Sequence, residues 1–398
     1  MLQIVTIKTS LSAYILLMKY LINNVRESKM KNNNEKDKLL EFISVAISLM
    51  LAAAIFMSNS AGKVSFAVAS VMFRSGNKVQ THAVSMNSTT KTTSTSAGTT
   101  AVTASKKISD ITQTPEDIKS LIKKYTELFA DDKKDGDISS VTYISKGATH
   151  TFENVRVKNT TETKSLDIEK VLSQPLELSV DKSKPAVLIF HSHTSEGYEL
   201  IERDWYAQDY TSRSNDESRN IVRVGTEIAN YLTDLGYTVI HDKTIHDDSY
   251  NDSYPNSRKT VAKHLEEHPE IQIVLDIHRD SITLDNGVKV KPVNTIGGKK
   301  AAQLMIITGA QEGKVEDFPD WEYNLRFALQ LQKKCETMFP GLMRPVLFSQ
   351  RKYNMDMTRF SLLIEMGSEA NTLEEACYSG RMLAAALASF MDEYVKVN

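Results

Sequence analysis

Nine histidines are spread unevenly over 398 residues, and the ones able to do chemistry stand where apolar runs stop. Residues 186–190 (AVLIF) end in His191-Ser192-His193. Residues 271–277 (IQIVLDI) end in His278-Arg279-Asp280, and 361–364 (SLLI) end in Glu365-Met366-Gly367. Histidine and carboxylate converging at strand ends suit a catalytic zinc, which takes three N or O ligands and leaves a fourth position for water. No piece is specific alone, since a single strand-end histidine is more often structural. Three together on one sheet edge are a site. The third ligand is expected to be a carboxylate. The loop 212–220 (SRSNDESRN) offers Asp216 and Glu217, though acids before a helix also serve its dipole. Glu365 closes an apolar strand, so desolvation should raise its pKa and fit it to take and return a proton. Arg279 suits an oxyanion or a substrate carboxylate, or an ion pair with Asp280.

These residues need a frame that brings strand ends together. Apolar strand patterns at 186–190, 237–240, 271–277, 304–308 and 361–365 alternate with helical spacing at 219–235, 258–268, 321–338 and 372–395. Thr372 and Glu375 form a capping-box signature. The alternation predicts an α/β fold, an open and mostly parallel sheet flanked by helices on both faces, with ligands outside the carboxyl ends of the strands. Ahead of it, Thr114-Pro115-Glu116-Asp117 opens a helix, and β-like runs follow at 141–144 and 152–157. Residues 110–180 read as a small accessory α+β segment and 181–398 as the catalytic domain.

Composition narrows the classes. With 48 Lys+Arg against 50 Asp+Glu the chain is near neutral, which argues against nucleic acid as a partner. Two cysteines, Cys335 and Cys377, exclude a disulfide scaffold and a cysteine-based zinc finger. Residues 42–62 carry no charge over 21 positions, long enough to span a membrane as a helix. Lysine and arginine concentrate before this run, which predicts a cytoplasmic 1–41 and an extracytoplasmic remainder at the cell membrane. Met30 is an alternative start, which would make 1–29 an overhang. Of the 23 residues 83–105, 13 are Ser or Thr, so 83–109 reads as a flexible linker.

The motifs V-L-I-F-H-S-H, H-S-H-T-S-E-G-Y, V-L-D-I-H-R-D, E-M-G-S-E-A-N and T-L-E-E-A resemble the stage II sporulation protein P family. That family is itself similar to zinc-dependent N-acetylmuramoyl-L-alanine amidases, whose late E-x-G-x-x-x-N is matched by Glu365, Gly367 and Asn371. The resemblance covers about 215 residues, from roughly 180 to 396. It implies a peptidoglycan substrate, Zn2+ held by His193 or His191, Glu217 and His278, and Glu365 as general acid/base. Asp216 keeps the amidase spacing to Asn220 while Glu217 keeps the residue type, and Glu217 is the choice taken. The resemblance also implies cleavage of peptide cross-links, a role in engulfment, and stage II sporulation proteins D and M as partners. Two rivals remain: a zinc carboxypeptidase-like peptidase, which would want a dedicated arginine for the terminal carboxylate, and an inactive wall-binding scaffold.

Overall fold

A computed structural model describes residues 111–396. The expected anchor at 42–62 and the linker at 83–109 lie outside the described residues. Among those described, no helix is long and apolar enough to cross a membrane.

The chain opens with α1 (Glu116–Leu128), β1 (Gly136–Val141), β2 (His150–Phe152), β3 (Val155–Asn159) and α2 (Ile168–Ser173). Then come β4 (Pro185–Phe190), β5 (Trp205–Tyr206), α3 (Ile221–Asp234), β6 (Thr238–His241), α4 (Ser253–Glu267) and β7 (Ile273–Asp280). A second run gives β8 (Lys289–Ile296), β9 (Lys299–Ala302), β10 (Leu304–Gly309), α5 (Trp321–Met338), β11 (Val346–Ser349), β12 (Phe360–Ser368) and α6 (Leu373–Met391). Thr372 and Glu375 close the capping box that starts α6.

Eight strands form one sheet in the order β2-β3-β11-β10-β12-β7-β4-β6. β6, β4, β7 and β12 run parallel. β10 pairs antiparallel to β12, and β11 and β3 continue parallel to β10. The sheet is thus mostly parallel by pairing, with one reversal in the middle, at β10–β12, and another at the edge, where β2 pairs antiparallel to β3. A smaller sheet, β5-β1-β8-β9, stands apart from it.

Alternation along each strand sorts side chains between two faces. Val187, Ile189, Ile273, Leu275, Ile277, Leu362, Ile364, Ile306 and Val346 join α3, α5 and α6 in the main core. Leu188, Phe190 and Val274 point the other way and pack on Val261 and Leu265 of α4. Helices therefore cover both faces over β4 and β7, as expected. Over β12, β10 and β11 the second face carries no such helix among the described residues and forms the floor of a cleft lined by Leu363, Glu365, Met305, Ile307 and Leu347. Ligand space thus lies on a sheet face as well as beyond strand ends.

The 110–180 stretch is built into this body rather than set beside it. β3 pairs with β11, β1 pairs with β8, and Ile118 and Tyr125 of α1 are buried in the main core.

Candidate metal and catalytic site

Strand pairing does the first positioning. β7 and β12 are neighbours, and their register sets His278 directly opposite Glu365. β4 lies on the other side of β7, so the turn that follows it comes to the same place. Asp276, two residues before His278 and on the same strand face, fastens that turn. It accepts from Ser192 N at 2.8 Å and Ser192 Oγ at 2.6 Å, and lies 2.8 Å from His278 Nε2. A carboxylate on the rear nitrogen of an imidazole fixes the ring and turns Nδ1 forward.

Three donors then meet. His193 Nδ1 is 3.6 Å from Glu196 Oε1, and His278 Nδ1 is 3.5 Å from Glu196 Oε2. Atoms of all three residues fall within 4.8 Å of one another. His193, Glu196 and His278 are 7%, 5% and 3% exposed, so this polarity is shielded from bulk water. Ligands about 2.0–2.2 Å from a tetrahedral zinc stand roughly 3.3–3.6 Å apart, so two imidazoles and a carboxylate at these spacings fit that ion.

Electrostatics follow from the crowding. Burial would raise the Glu196 carboxyl, but bonds to His193 and His278 and the nearby Arg279 hold it well below the usual range. Burial would lower His278, yet Asp276 and Glu196 keep it well above an ordinary histidine. Glu365 goes the other way. Burial, with Asp280 and Glu196 adding like charge, pushes it up to about 8 against the pull of His278 and Arg344. Its Oε2 is buried with no hydrogen-bond partner among the described residues.

The cleft in front has a volume of about 590 Å³ and is lined by His193, Glu196, Tyr254, His278, Arg279 and Glu365 among others. The structure thus brings His193, His278 and Glu365 together. Arg279 lines the cleft, but its Nε donates to Gly197 O at 3.0 Å, and its backbone N–H donates to Glu196 Oε2 at 3.0 Å. Asp280 is paired with Arg344 at 2.9 Å, so the expected Arg279–Asp280 alternative is not formed.

Two of the candidate ligands stand outside this cluster. His191 is turned into the other face, beneath α3, with Nδ1 2.9 Å from Ile277 O and Nε2 2.9 Å from His241 Nε2. Glu217 is half-exposed and 3.3 Å from Lys243, outside the cluster. Asp216 accepts from Ser218 within its own loop. The third donor is Glu196, which the sequence reading missed. The available signal was the H-T-S-E spacing, because a turn brings residues three apart to one side. The loop folds back this tightly at Gly197, where a Cβ would stand 2.9 Å from Ser212 O.

A mixed α/β domain carrying a buried His–Glu–His cluster beside a raised carboxyl is the class of protein that fold and site define. The family model for Stage II sporulation protein P matches residues 75–388, and the chain belongs to that family. Stage II sporulation protein P of Bacillus subtilis (strain 168) is 28% identical over 228 residues, covering 54% of this chain. The chain spans about half the length of that curated relative, 53%. Among solved structures, the CwlD amidase of Clostridioides difficile in complex with the GerS lipoprotein matches with 12% identity and a TM-score of 0.33, over 52% of this chain and 98% of that one. An N-acetylmuramoyl-L-alanine amidase of Nostoc punctiforme matches with 11% identity and a TM-score of 0.32, over 52% and 97%.

Proposed function

We propose that this protein is a membrane-attached peptidoglycan hydrolase of sporulation that cleaves the amide between N-acetylmuramic acid and the L-alanine of the stem peptide. The observation that carries the reading is the His193–Glu196–His278 cluster with Glu365 beside it. Family membership and the E-x-G-x-x-x-N spacing of Glu365, Gly367 and Asn371 support it.

His193, Glu196 and His278 would hold zinc, which when bound lowers the pKa of water and polarises a carbonyl. Asp276 keeps the His278 ring in one orientation, and the Arg279 backbone N–H does the same for Glu196. Glu365 takes the proton of the attacking water and delivers it to the leaving alanine nitrogen. A carboxyl raised by burial is suited to both halves of that transfer. Tyr254, 5.4 Å ring to ring from His193, walls one side against solvent.

Attachment through residues 42–62, with the described domain extracytoplasmic, is part of this reading and is supported by the uncharged run and the lysine and arginine that precede it. Action beside stage II sporulation proteins D and M in engulfment belongs to it as well. Purified peptidoglycan digested by the full chain, with and without a chelator, tests the chemistry by mass spectrometry. Intact stem peptides with free alanine amino ends, lost on chelation, are expected. Stems shortened by one carboxyl-terminal residue would assign a carboxypeptidase instead, and cross-link cleavage gives masses of its own. No products at all would leave a binding scaffold.

A further inference from the structure

The cleft has a second end, away from the His–Glu–His cluster. There the chain leaves β11 and bends through Arg351, Lys352, Tyr353 and Asn354. Tyr353 and Asn354 have φ of 43° and 58°, a region sparsely used by residues with a Cβ and one that clusters at ligand clamps. Hydrogen bonds hold the bend there. Asn354 Nδ2 donates to Tyr254 O at 3.0 Å and to Ser257 Oγ at 3.1 Å. Ser257 Oγ is 2.8 Å from Ser192 Oγ, which in turn donates to Asp276. The bend is therefore tied to the carboxylate that orients His278.

Rings continue the connection. Tyr353 stacks on Tyr254 at 5.0 Å, and Tyr254 lies 6.4 Å from the His278 ring. Arg351 stands at the far end of this aromatic wall, its guanidinium bonded to the Tyr353 hydroxyl and 5.3 Å from that ring. Other cations lining or bordering the cleft are already engaged. Arg213 reaches Asp247 at 3.0 Å, Arg344 reaches Asp280 at 2.9 Å, and Lys289 lies 3.6 Å from Glu369. The Arg279 side chain is spent on Gly197 O. Arg351 has no acidic partner among the described residues.

We propose that Arg351, steadied by Tyr353, is a subsite that grips a free carboxylate on the peptide part of the substrate, two or more residues from the scissile bond. A planar guanidinium fork matches a carboxylate with two parallel bonds, and Tyr353 fixes the fork before the ligand arrives. The apolar floor of Met305, Ile307, Leu347 and Leu363 beside it suits peptide side chains better than a sugar. Distance sets the separation. The Arg351 carbonyl abuts Gly309, two strands from β7 and four residues along β10 from Met305, which pairs with Glu365. That sets the Arg351 backbone roughly 15 Å from His278 at ordinary strand spacings, and the guanidinium lies beyond the Tyr254–Tyr353 stack, several extended residues rather than one. A carboxypeptidase anchor would have to sit one residue from the cut.

The inference rests on the peptidoglycan reading, and the test separates the two. The full chain and its Arg351→Gln, Arg351→Lys and Tyr353→Phe variants are titrated calorimetrically with an N-acetylmuramoyl tripeptide carrying free carboxylates, and with its carboxamide form. Wild type is expected to prefer the free form by about 10- to 100-fold, the worth of a bond between charged groups. Arg351→Gln should lose that preference, Arg351→Lys keep part of it, and Tyr353→Phe lose a few-fold, all with wild-type thermal melting. Hydrolysis assays on the same compounds should show the change in KM rather than kcat. A preference that survives intact in Arg351→Gln overturns the inference, whether or not wild type hydrolyses the compound. Arg351-dependent binding without hydrolysis would leave the subsite standing and remove the proposed reaction.

Discussion

His191 and His193 stand two residues apart at the end of β4, and the chain sends them to opposite faces of the sheet. His193 enters a buried cluster with Glu196, and through it His278, beside the cleft. His191, itself buried, pairs with the part-buried His241, and no carboxylate among the described residues lies within hydrogen-bonding distance of either ring. The outcomes are opposite. With acids at hand, burial leaves His278 well above an ordinary histidine. Without a carboxylate bonded to either ring, burial outweighs the more distant Asp276 and pushes His191 down to about 4, and burial together with the facing His191 pushes His241 down to about 2. Burial alone does not make a histidine a ligand or a structural strut. The counter-charge packed with it decides which.

The largest effect should come from removing the acid that defines the first cluster. Glu196→Gln is expected to lose bound zinc and bring activity close to the uncatalysed level, because three ligands become two and the several kcal/mol a metal supplies goes with them. Metal analysis and product release on one preparation check this. Full zinc occupancy in the variant would show that the cluster is not the metal centre.

Glu365→Gln should cost about 10²–10⁴-fold in turnover while zinc and melting temperature stay put, the usual worth of a positioned proton shuttle. As a base Glu365 works ionised, so the rate falls as pH drops through its folded value. Burial pushes that value up to about 8, and a bound dication beside it would bring it down. The acidic limb of the rate profile should therefore lie at or below about pH 8 and be missing from the residual activity of the Gln variant. An unchanged acidic limb would assign the proton transfer to another group.

The second cluster predicts a stability effect instead. His191 Nδ1 donates to Ile277 O, so its Nε2 must accept from His241, and both rings are neutral. Between pH 6.5 and about 4 the unfolded chain binds protons at these rings that the folded chain refuses. Stability then rises with pH, and it is lost as pH falls below 6.5. The pair should contribute a loss of about 3–4 kcal/mol, roughly 2 for each ring, on going from pH 7 to pH 5. His241→Gln keeps a donor for His191 and removes one titration, so its melting temperature should fall less over that interval. Equal slopes in both proteins would mean the pair is not what sets the acid sensitivity.

Most of the frame was legible because it depends on local periodicity. The strands at 186–190 and 271–277, the helix Trp321–Met338 and the Thr372–Glu375 box all follow from spacing that any helix or strand must show. β11 and the β8–β9 hairpin were missed. β11 is four residues long and means something only between β10 and β3, while the hairpin turns on Gly297 and Gly298, both at positive φ. In the site, His278 and Glu365 were legible because strand ends are. Glu196 was not, because its place depends on how the chain returns after β4, a path fixed by Gly197 against Ser212 and not by any period.

The smallest expected effect belongs to Glu217, and it is informative because residue type, against the family spacing, favoured this residue as the third ligand. Its carboxylate is half-exposed and meets Lys243 at 3.3 Å. Exposed pairs of that kind are worth about 0–1 kcal/mol. Moving Glu217 to the cluster would require the loop before α3 to give up Asn220, whose side chain caps Val222 N and donates to Ser214 O, and the bridge between Gly197 and Asn220. That same bridge holds Glu196 in place, so Glu217 could enter only by displacing the acid already between the histidines. Glu217→Gln should therefore keep one zinc per chain, change melting by no more than about 0.5 kcal/mol, and leave turnover within about twofold. Measured beside Glu196→Gln, it turns the comparison into a choice between two acids. Zinc lost from the Glu217 variant and retained by the Glu196 variant would mean that the loop rearranges when metal binds, and that the choice by residue type had found the true ligand.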